Sequence, residues 1–109
     1  MIIDFTKLEE WKLNNFKGGE NYVLMHKFLD ERNLIVRISI PKGGSIGFHK
    51  HEIDQEVMYI ISGEGILIEN GSETKVYKGN STYCPQGKEH SIKNLQDENL
   101  EIFAVITKF

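Results

Sequence analysis

Short runs of β-branched and aromatic residues, each closed by a turn signal, recur along most of this 109-residue chain. Several runs alternate apolar with polar residues, the pattern of a half-buried strand. Asn70 and Gly71 between two runs predict a hairpin, because both tolerate the positive φ of a tight turn. The predicted strands are residues 21–29, 34–40, 56–62, 65–69, 74–78, 90–94 and 100–107.

So many short strands in so small a chain restrict the fold class. A single flat sheet would leave apolar surface in water and two edges open to aggregation, so we predict a closed or sandwiched all-β fold. The length suits one domain spanning residues 1–109. Only residues 4–14 resemble a helix, with Thr6 and Glu9 as a possible capping box.

Charge and composition argue against several classes of partner. The net charge is −3 and the basic residues are scattered, so we expect neither nucleic acid nor an anionic membrane as a partner. The N-terminus lacks the pattern of a secretory signal, and no apolar run is long enough to span a bilayer. A single cysteine, Cys84, fits a reducing compartment, so we predict a cytoplasmic protein.

Two histidines spaced two residues apart are the first sign of a metal site. Side chains alternate along a strand, so His49 and His51 share a face about 6.5–7 Å apart, and Lys50 points away. Glu56 lies an odd number of positions beyond His51. Residues 52–55 must therefore turn and return Glu56 on the neighbouring strand.

The third imidazole must be His26 or His90, the two remaining histidines. His90 follows a turn-rich segment at the entry to a strand, as expected for a ligand that arrives from across a barrel. His26 lies on a plain strand without a nearby turn, so we expect it to be a hydrogen-bonded or interface histidine. We choose His90. Three imidazoles and one carboxylate suit a divalent ion of the first transition row.

Two spaced motifs carry a family resemblance. The first motif spans residues 43–63 and reads Gly-x5-His-x-His-x4-Glu-x6-Gly. The second motif spans residues 79–94 and reads Gly-x5-Pro-x-Gly-x2-His-x3-Asn, ending at Asn94. Both motifs match those of the cupin superfamily at every position, and the chain resembles that superfamily.

The resemblance implies a jelly-roll β-barrel, the double-stranded β-helix of cupins. It also implies one divalent transition metal, Mn, Fe, Ni, Zn, Co or Cu, held at the mouth or interior of the barrel. Four protein ligands on an ion that prefers six would leave two positions open. The implied metal ligands are His49, His51, Glu56 and His90.

Strand alternation extends the prediction from the ligands to their surroundings. Residues that share the ligands' inward parity would line an apolar pocket, namely Met58, Ile60 and Ile92. Such a pocket suits a small organic molecule with one chelating end. A surplus of apolar residues faces outward and predicts a homodimer, namely Val57, Tyr59 and Ile61.

Two classes of function fit these features. The first is a small metal-dependent enzyme, either a dioxygenase or a Lewis-acid isomerase, decarboxylase or lyase. The second is a non-catalytic module that binds or senses a small ligand. A proton-transfer residue facing the open metal positions would favour the Lewis-acid enzyme. The sequence identifies no such catalytic residue.

Overall fold

Ten strands account for most of the chain in the computed structural model, which describes residues 1–109. Two 3₁₀ turns, Phe5–Lys7 and Phe16–Gly18, complete the regular structure. The strands are β1 (Trp11–Asn14), β2 (Tyr22–Leu29), β3 (Asn33–Ile40), β4 (Ser45–Lys50), β5 (Asp54–Ser62), β6 (Glu64–Glu69), β7 (Ser72–Tyr77), β8 (Ser81–Cys84), β9 (Glu89–Lys93) and β10 (Leu100–Lys108).

The strands form two antiparallel sheets. One has six strands in the order β1-β2-β3-β10-β5-β8, and the other has four in the order β4-β9-β6-β7. Strands that are consecutive in sequence often lie in different sheets, as β4 and β5 do, so the chain winds between the two sheets. The predicted all-β jelly roll is confirmed. No helix in the structure is long and apolar enough to cross a membrane.

The hydrophobic core lies between the two sheets and follows the alternation of each strand. On β5, Met58 and Ile60 are 1% and 0% exposed, whereas Val57 and Tyr59 are 43% and 44% exposed. The same rule buries Ile102 and Ala104 on β10. Burial of these side chains removes apolar surface from water and holds the sheets together.

The predicted N-terminal helix is wrong. Asp4, rather than Thr6, caps the short turn Phe5–Lys7, and the side chain of Asp4 accepts a hydrogen bond from the Thr6 backbone N–H. Trp11–Asn14 instead forms β1 on the edge of the six-stranded sheet, pairing with β2. Cross-strand pairing, which acts between residues distant in sequence, overrides the weak local helical pattern.

Two further strands were absent from the predicted set. β4 carries His49 and ends before His51, whereas the sequence predicts a strand that carries both histidines, without giving its bounds; β8 lies within residues 79–94, where glycine and proline signals predict turns. β4 also depends on a close backbone approach. A Cβ on Gly47 would lie 2.3 Å from the Lys17 carbonyl oxygen, so only glycine lets the segment around Phe16–Gly18 pack against β4.

Candidate metal centre

The first wall of the site is the pair formed by β4 and β9. His49 and His90 are direct cross-strand partners in this antiparallel pair. His51 lies just beyond the end of β4, where its backbone N–H donates to the Lys88 carbonyl at 2.9 Å. Its carbonyl accepts from the Gly87 N–H at 2.7 Å, so the turn that follows Pro85 holds His51 in place.

Glu56 comes from the opposite sheet. The chain bends at residues 52–53, and β5 then begins at Asp54, so the predicted turn is present. The predicted return on a neighbouring strand is wrong, because β4 pairs with β9 whereas β5 pairs with β10 and β8. The four side chains therefore converge from two walls of the barrel.

The donor atoms of His49, His51, Glu56 and His90 all lie within 4.8 Å of one another. The Nε2 atom of His90 is 3.1 Å from Nε2 of both His49 and His51. Oε1 of Glu56 is 2.9 Å from Nε2 of His90, 3.2 Å from that of His51 and 3.8 Å from that of His49. Two ligands that bind one ion at right angles, each at about 2.1 Å, stand about 3.0 Å apart. The cluster could therefore hold a metal ion.

Hydrogen bonds on the far side of two imidazoles favour the tautomer that a cation needs. Nδ1 of His49 lies 2.8 Å from the Gly47 carbonyl oxygen, and Nδ1 of His51 lies 2.6 Å from Oδ1 of Asp54. Both partners only accept, so in each neutral ring Nδ1 carries the proton and Nε2 presents a lone pair. Both lone pairs face the centre of the cluster.

Charge is concentrated on the Glu56 carboxylate, which is buried together with His51 and His90. Burial alone would raise the pKa of the Glu56 carboxyl, but hydrogen bonds from the three imidazoles, whose Nε2 atoms donate when they carry a proton in the metal-free cluster, outweigh it and hold that pKa well below its usual range. The hydrogen bond to Glu56 raises the pKa of His51, burial opposes this, and Asp54 adds to it. The Glu56 carboxylate thus stays negatively charged and faces the position that a cation would occupy.

Asp54 is a site residue that the sequence reasoning missed. The sequence places it only in the turn of residues 52–55, yet its carboxylate contacts His51 directly, and its side chain is 20% exposed. A carboxylate behind a ligating histidine fixes the ring and increases its basicity. Strand alternation could have identified it, because Asp54 is two residues before Glu56 and therefore faces the same side of the strand.

A cavity of about 260 Å³ opens onto the four donor atoms. Of the predicted pocket residues, Met58 and Ile92 line this cavity. Ile60 does not, since it lies one step further along β5, fully buried in the core. Lys50, predicted to point away, is exposed and borders the cavity. The other apolar lining residues are Phe16, Met25, Leu29, Leu34, Val36, Ile38, Ile46 and Ile106.

Comparison with known proteins identifies the family. The family model described as a cupin domain matches residues 36–106. The chain belongs to the cupin family. An oxalate-binding protein of Thermotoga maritima is 32% identical over 112 residues, covering 97% of this cupin and 93% of the relative.

Solved structures show the same fold. A crystal structure of a predicted oxalate decarboxylase from Thermotoga maritima has a TM-score of 0.93 and 31% identity, with all of both chains covered. The cupin domain of Schizosaccharomyces pombe Cnp3 has a TM-score of 0.81 at 13% identity, covering all of this chain and 74% of that one. The latter likeness shows the shared fold alone.

His26 lies outside the candidate metal centre of this cupin. Its Nδ1 is 3.1 Å from the Leu8 carbonyl oxygen, and its Nε2 is 3.3 Å from Glu10, so it ties the N-terminal segment to β2. Cys84 is 1% exposed, and burial raises the pKa of its thiol to about 11. Such a thiol stays protonated and is a poor nucleophile.

Few groups in the cavity could transfer a proton. It is lined by no tyrosine and by no carboxylate other than Asp54 and Glu56. Asp54 is already hydrogen-bonded to His51, and Glu56 belongs to the cluster. The remaining ionisable residues on the lining are exposed basic ones. The cavity lining therefore offers no tyrosine, and no carboxylate that is free of contact with the cluster, as a proton-transfer group.

Proposed function

We propose that this cupin binds one divalent transition metal through His49, His51, Glu56 and His90, and that the metal in turn binds a small carboxylate. One observation carries the proposal, namely four buried or half-buried donor atoms converging where an apolar cavity opens. A metal bound there would supply open positions for oxygen donors and Lewis acidity or redox chemistry, according to its identity.

The relative from Thermotoga maritima supports a carboxylate as the ligand. It is named an oxalate-binding protein, and it aligns with almost the whole of this chain. Oxalate offers two adjacent carboxylate oxygens, which suit two open positions on one ion. Oxalate is therefore the first compound to test.

As an enzyme, the protein would belong to the dioxygenase or the Lewis-acid class, with decarboxylation as one example. Its own residues would orient and shield the reacting molecule. Asp54 holds the His51 ring, Glu56 offsets the charge of the ion, and Met58 and Ile92 exclude water from one side. These roles require no separate base, which fits a dioxygenase better than an isomerase.

The second candidate function is binding or sensing without turnover. The lack of a tyrosine, or of a carboxylate free of contact with the cluster, on the cavity lining favours it. Both candidates predict metal and carboxylate binding, and only the enzyme predicts consumption of the ligand. Oxygen uptake and carbon dioxide release, measured with the metal-loaded protein and oxalate, separate the two.

The first experiment is elemental analysis of untagged protein purified without chelators. We expect close to one transition-metal ion per chain, lost in His51→Ala and retained in the control His26→Ala. Titration calorimetry should then show oxalate binding to the loaded protein and none to the metal-free protein. Purified protein without metal that also takes up none when titrated with Mn²⁺, Fe²⁺, Co²⁺, Ni²⁺, Cu²⁺ or Zn²⁺ would contradict the proposal.

We also propose a homodimer formed by the outer face of the six-stranded sheet. Cross-strand register places an apolar row on that face, consisting of Phe28, Ile35, Val105, Val57 and Tyr83. Val57 and Tyr83 are 43% and 56% exposed, so a second copy could bury them. Light scattering at micromolar concentration should give twice the chain mass. Val57→Lys should halve it and the control Ile53→Lys should not, whereas a monomeric wild type would refute the dimer.

The chain is also proposed to act as one domain in the cytoplasm. The support is the single core shared by both sheets and a buried, unpaired Cys84. Such a thiol is compatible with a reducing compartment. Cell fractionation checks the location, and a single cooperative unfolding transition checks the domain assignment.

A further inference from the structure

The cavity has two levels, which the strand register defines. At the inner level, Glu56 lies beside Ile106, and Ile106 lies beside Leu34. One inward-facing step further along β5 and β10, Asp54 lies beside Lys108. Two residues of a strand span about 7 Å, so this outer level stands about 7 Å beyond the row of Glu56.

Four basic residues line the cavity, and two of them, Arg32 and Lys108, lie at the outer level. The backbone N–H of Lys108 donates to the Arg32 carbonyl at 2.7 Å, so these two residues sit together at the end of the six-stranded sheet. Lys17 and Lys50 border the cavity from the side of β4. None of the four basic residues forms an ion pair in the structure.

The charge at this level is opposite to that of the whole protein. The cavity lining carries four basic residues and two carboxylates, Asp54 and Glu56, both of which contact histidines of the cluster, although the chain carries a net charge of −3. Unpaired cations around a cleft concentrate its field and attract anions. The outer level is thus suited to a second anionic group.

An apolar band lines the cavity beside Glu56, one inward-facing step inside Arg32 and Lys108. It includes Leu29, Leu34 and Ile106 at the inner level, all of which line the cavity. The cavity of about 260 Å³ is several times the roughly 30 Å³ that one water occupies in the liquid. Oxalate has no hydrocarbon, so it would occupy the metal end and leave this band in contact with water.

We propose that the preferred ligand is an aliphatic dicarboxylate longer than oxalate, an inference that rests on the proposed function. One carboxylate binds at the metal, the methylene chain covers the apolar band, and the second carboxylate pairs with Arg32 and Lys108. A saturated chain advances on the order of 1.27 Å per bond. A span of about 7 Å corresponds to about five or six such bonds, so it matches adipate, with five bonds between its carboxyl carbons, better than glutarate, malonate or oxalate.

The test is titration calorimetry of the metal-loaded protein with oxalate, glutarate, adipate and hexanoate. Adipate and hexanoate have the same chain length and differ in the second carboxylate. Two exposed ion pairs predict about fivefold tighter binding of adipate than of hexanoate. The advantage should shrink as salt is added, because salt screens exposed charges.

The matched variants separate the outer level from the metal end. Arg32→Gln with Lys108→Gln should remove the preference for adipate over hexanoate, and the affinity for oxalate, which does not reach these residues, should fall less than the affinity for adipate. The control Lys75→Gln, on β7 and away from the cavity, should change neither. If oxalate binds while adipate binds no better than hexanoate, this inference is overturned and the proposed function stands. If the loaded protein binds no carboxylate, or takes up no metal, both are overturned.

Discussion

Asp54→Asn should weaken metal binding without unfolding the protein. The Asp54 carboxylate lies 2.6 Å from Nδ1 of His51, whose side chain is 5% exposed. A hydrogen bond to a charged group contributes about 1.5–3 kcal/mol. Loss of a carboxylate behind a ligating histidine lowers metal affinity about 10- to 100-fold. Asparagine still accepts a hydrogen bond but lacks the charge, and Asp54 is 20% exposed. We therefore expect the lower end, about tenfold, or about 1.4 kcal/mol.

Competition titration with a chromophoric chelator measures this affinity directly. Asp54→Leu removes the acceptor as well, so it should reach the upper end, about 100-fold. Asp97→Asn is the control, because Asp97 is exposed, pairs with Lys42 and does not line the cavity. Circular dichroism should show native secondary structure in all three variants. An affinity of Asp54→Leu within twofold of the wild type would refute the positioning role of Asp54.

Further predictions concern packing, backbone and pH. Ile102→Val should cost about 0.5–1.5 kcal/mol in chemical denaturation, and Ile53→Val, at a side chain that is 62% exposed, should cost almost nothing. Gly47→Ala should cost about 2 kcal/mol or more, because its Cβ would lie 2.3 Å from a backbone oxygen; a stable variant would contradict the close packing against β4. The pKa of His51 is raised above its ordinary value of 6.5, so the metal-free protein should lose thermal stability as the pH rises through that raised pKa. Metal affinity should increase over the same range, because His51 must release its proton, and calorimetry in two buffers should detect that proton.

Prediction from sequence succeeded where the signal is local. Strand alternation correctly buried Met58 on β5 and exposed Val57, because a two-residue period is set by the backbone itself. It failed for Trp11–Asn14, where pairing with β2 supplies hydrogen bonds that a local helical pattern does not reveal. It also missed β8, whose short length and neighbouring turn residues hide the strand.

The surroundings of the candidate site were harder to predict from the sequence. Ile60 faces the same side of β5 as Glu56 but lies in the packed core and does not line the cavity. Strand alternation predicts which face of the sheet a side chain lies on, but it does not predict how far along the strand the cavity extends. Asp54 was overlooked because a carboxylate in a turn is ordinarily solvated. Asp54 contacts His51 because it is the first residue of β5, where the strand places its carboxylate beside the imidazole.

By itself the sequence determined the residue types and spacings, and hence the all-β jelly roll, the cupin family and the four candidate ligands. The tertiary structure alone decided that His49 and His90 are paired across two strands while Glu56 arrives from the opposite sheet. It also decided that Arg32 and Lys108 meet at the end of the six-stranded sheet. These placements depend on which strands pair, and pairing is set by burial and hydrogen bonds between segments distant in the chain.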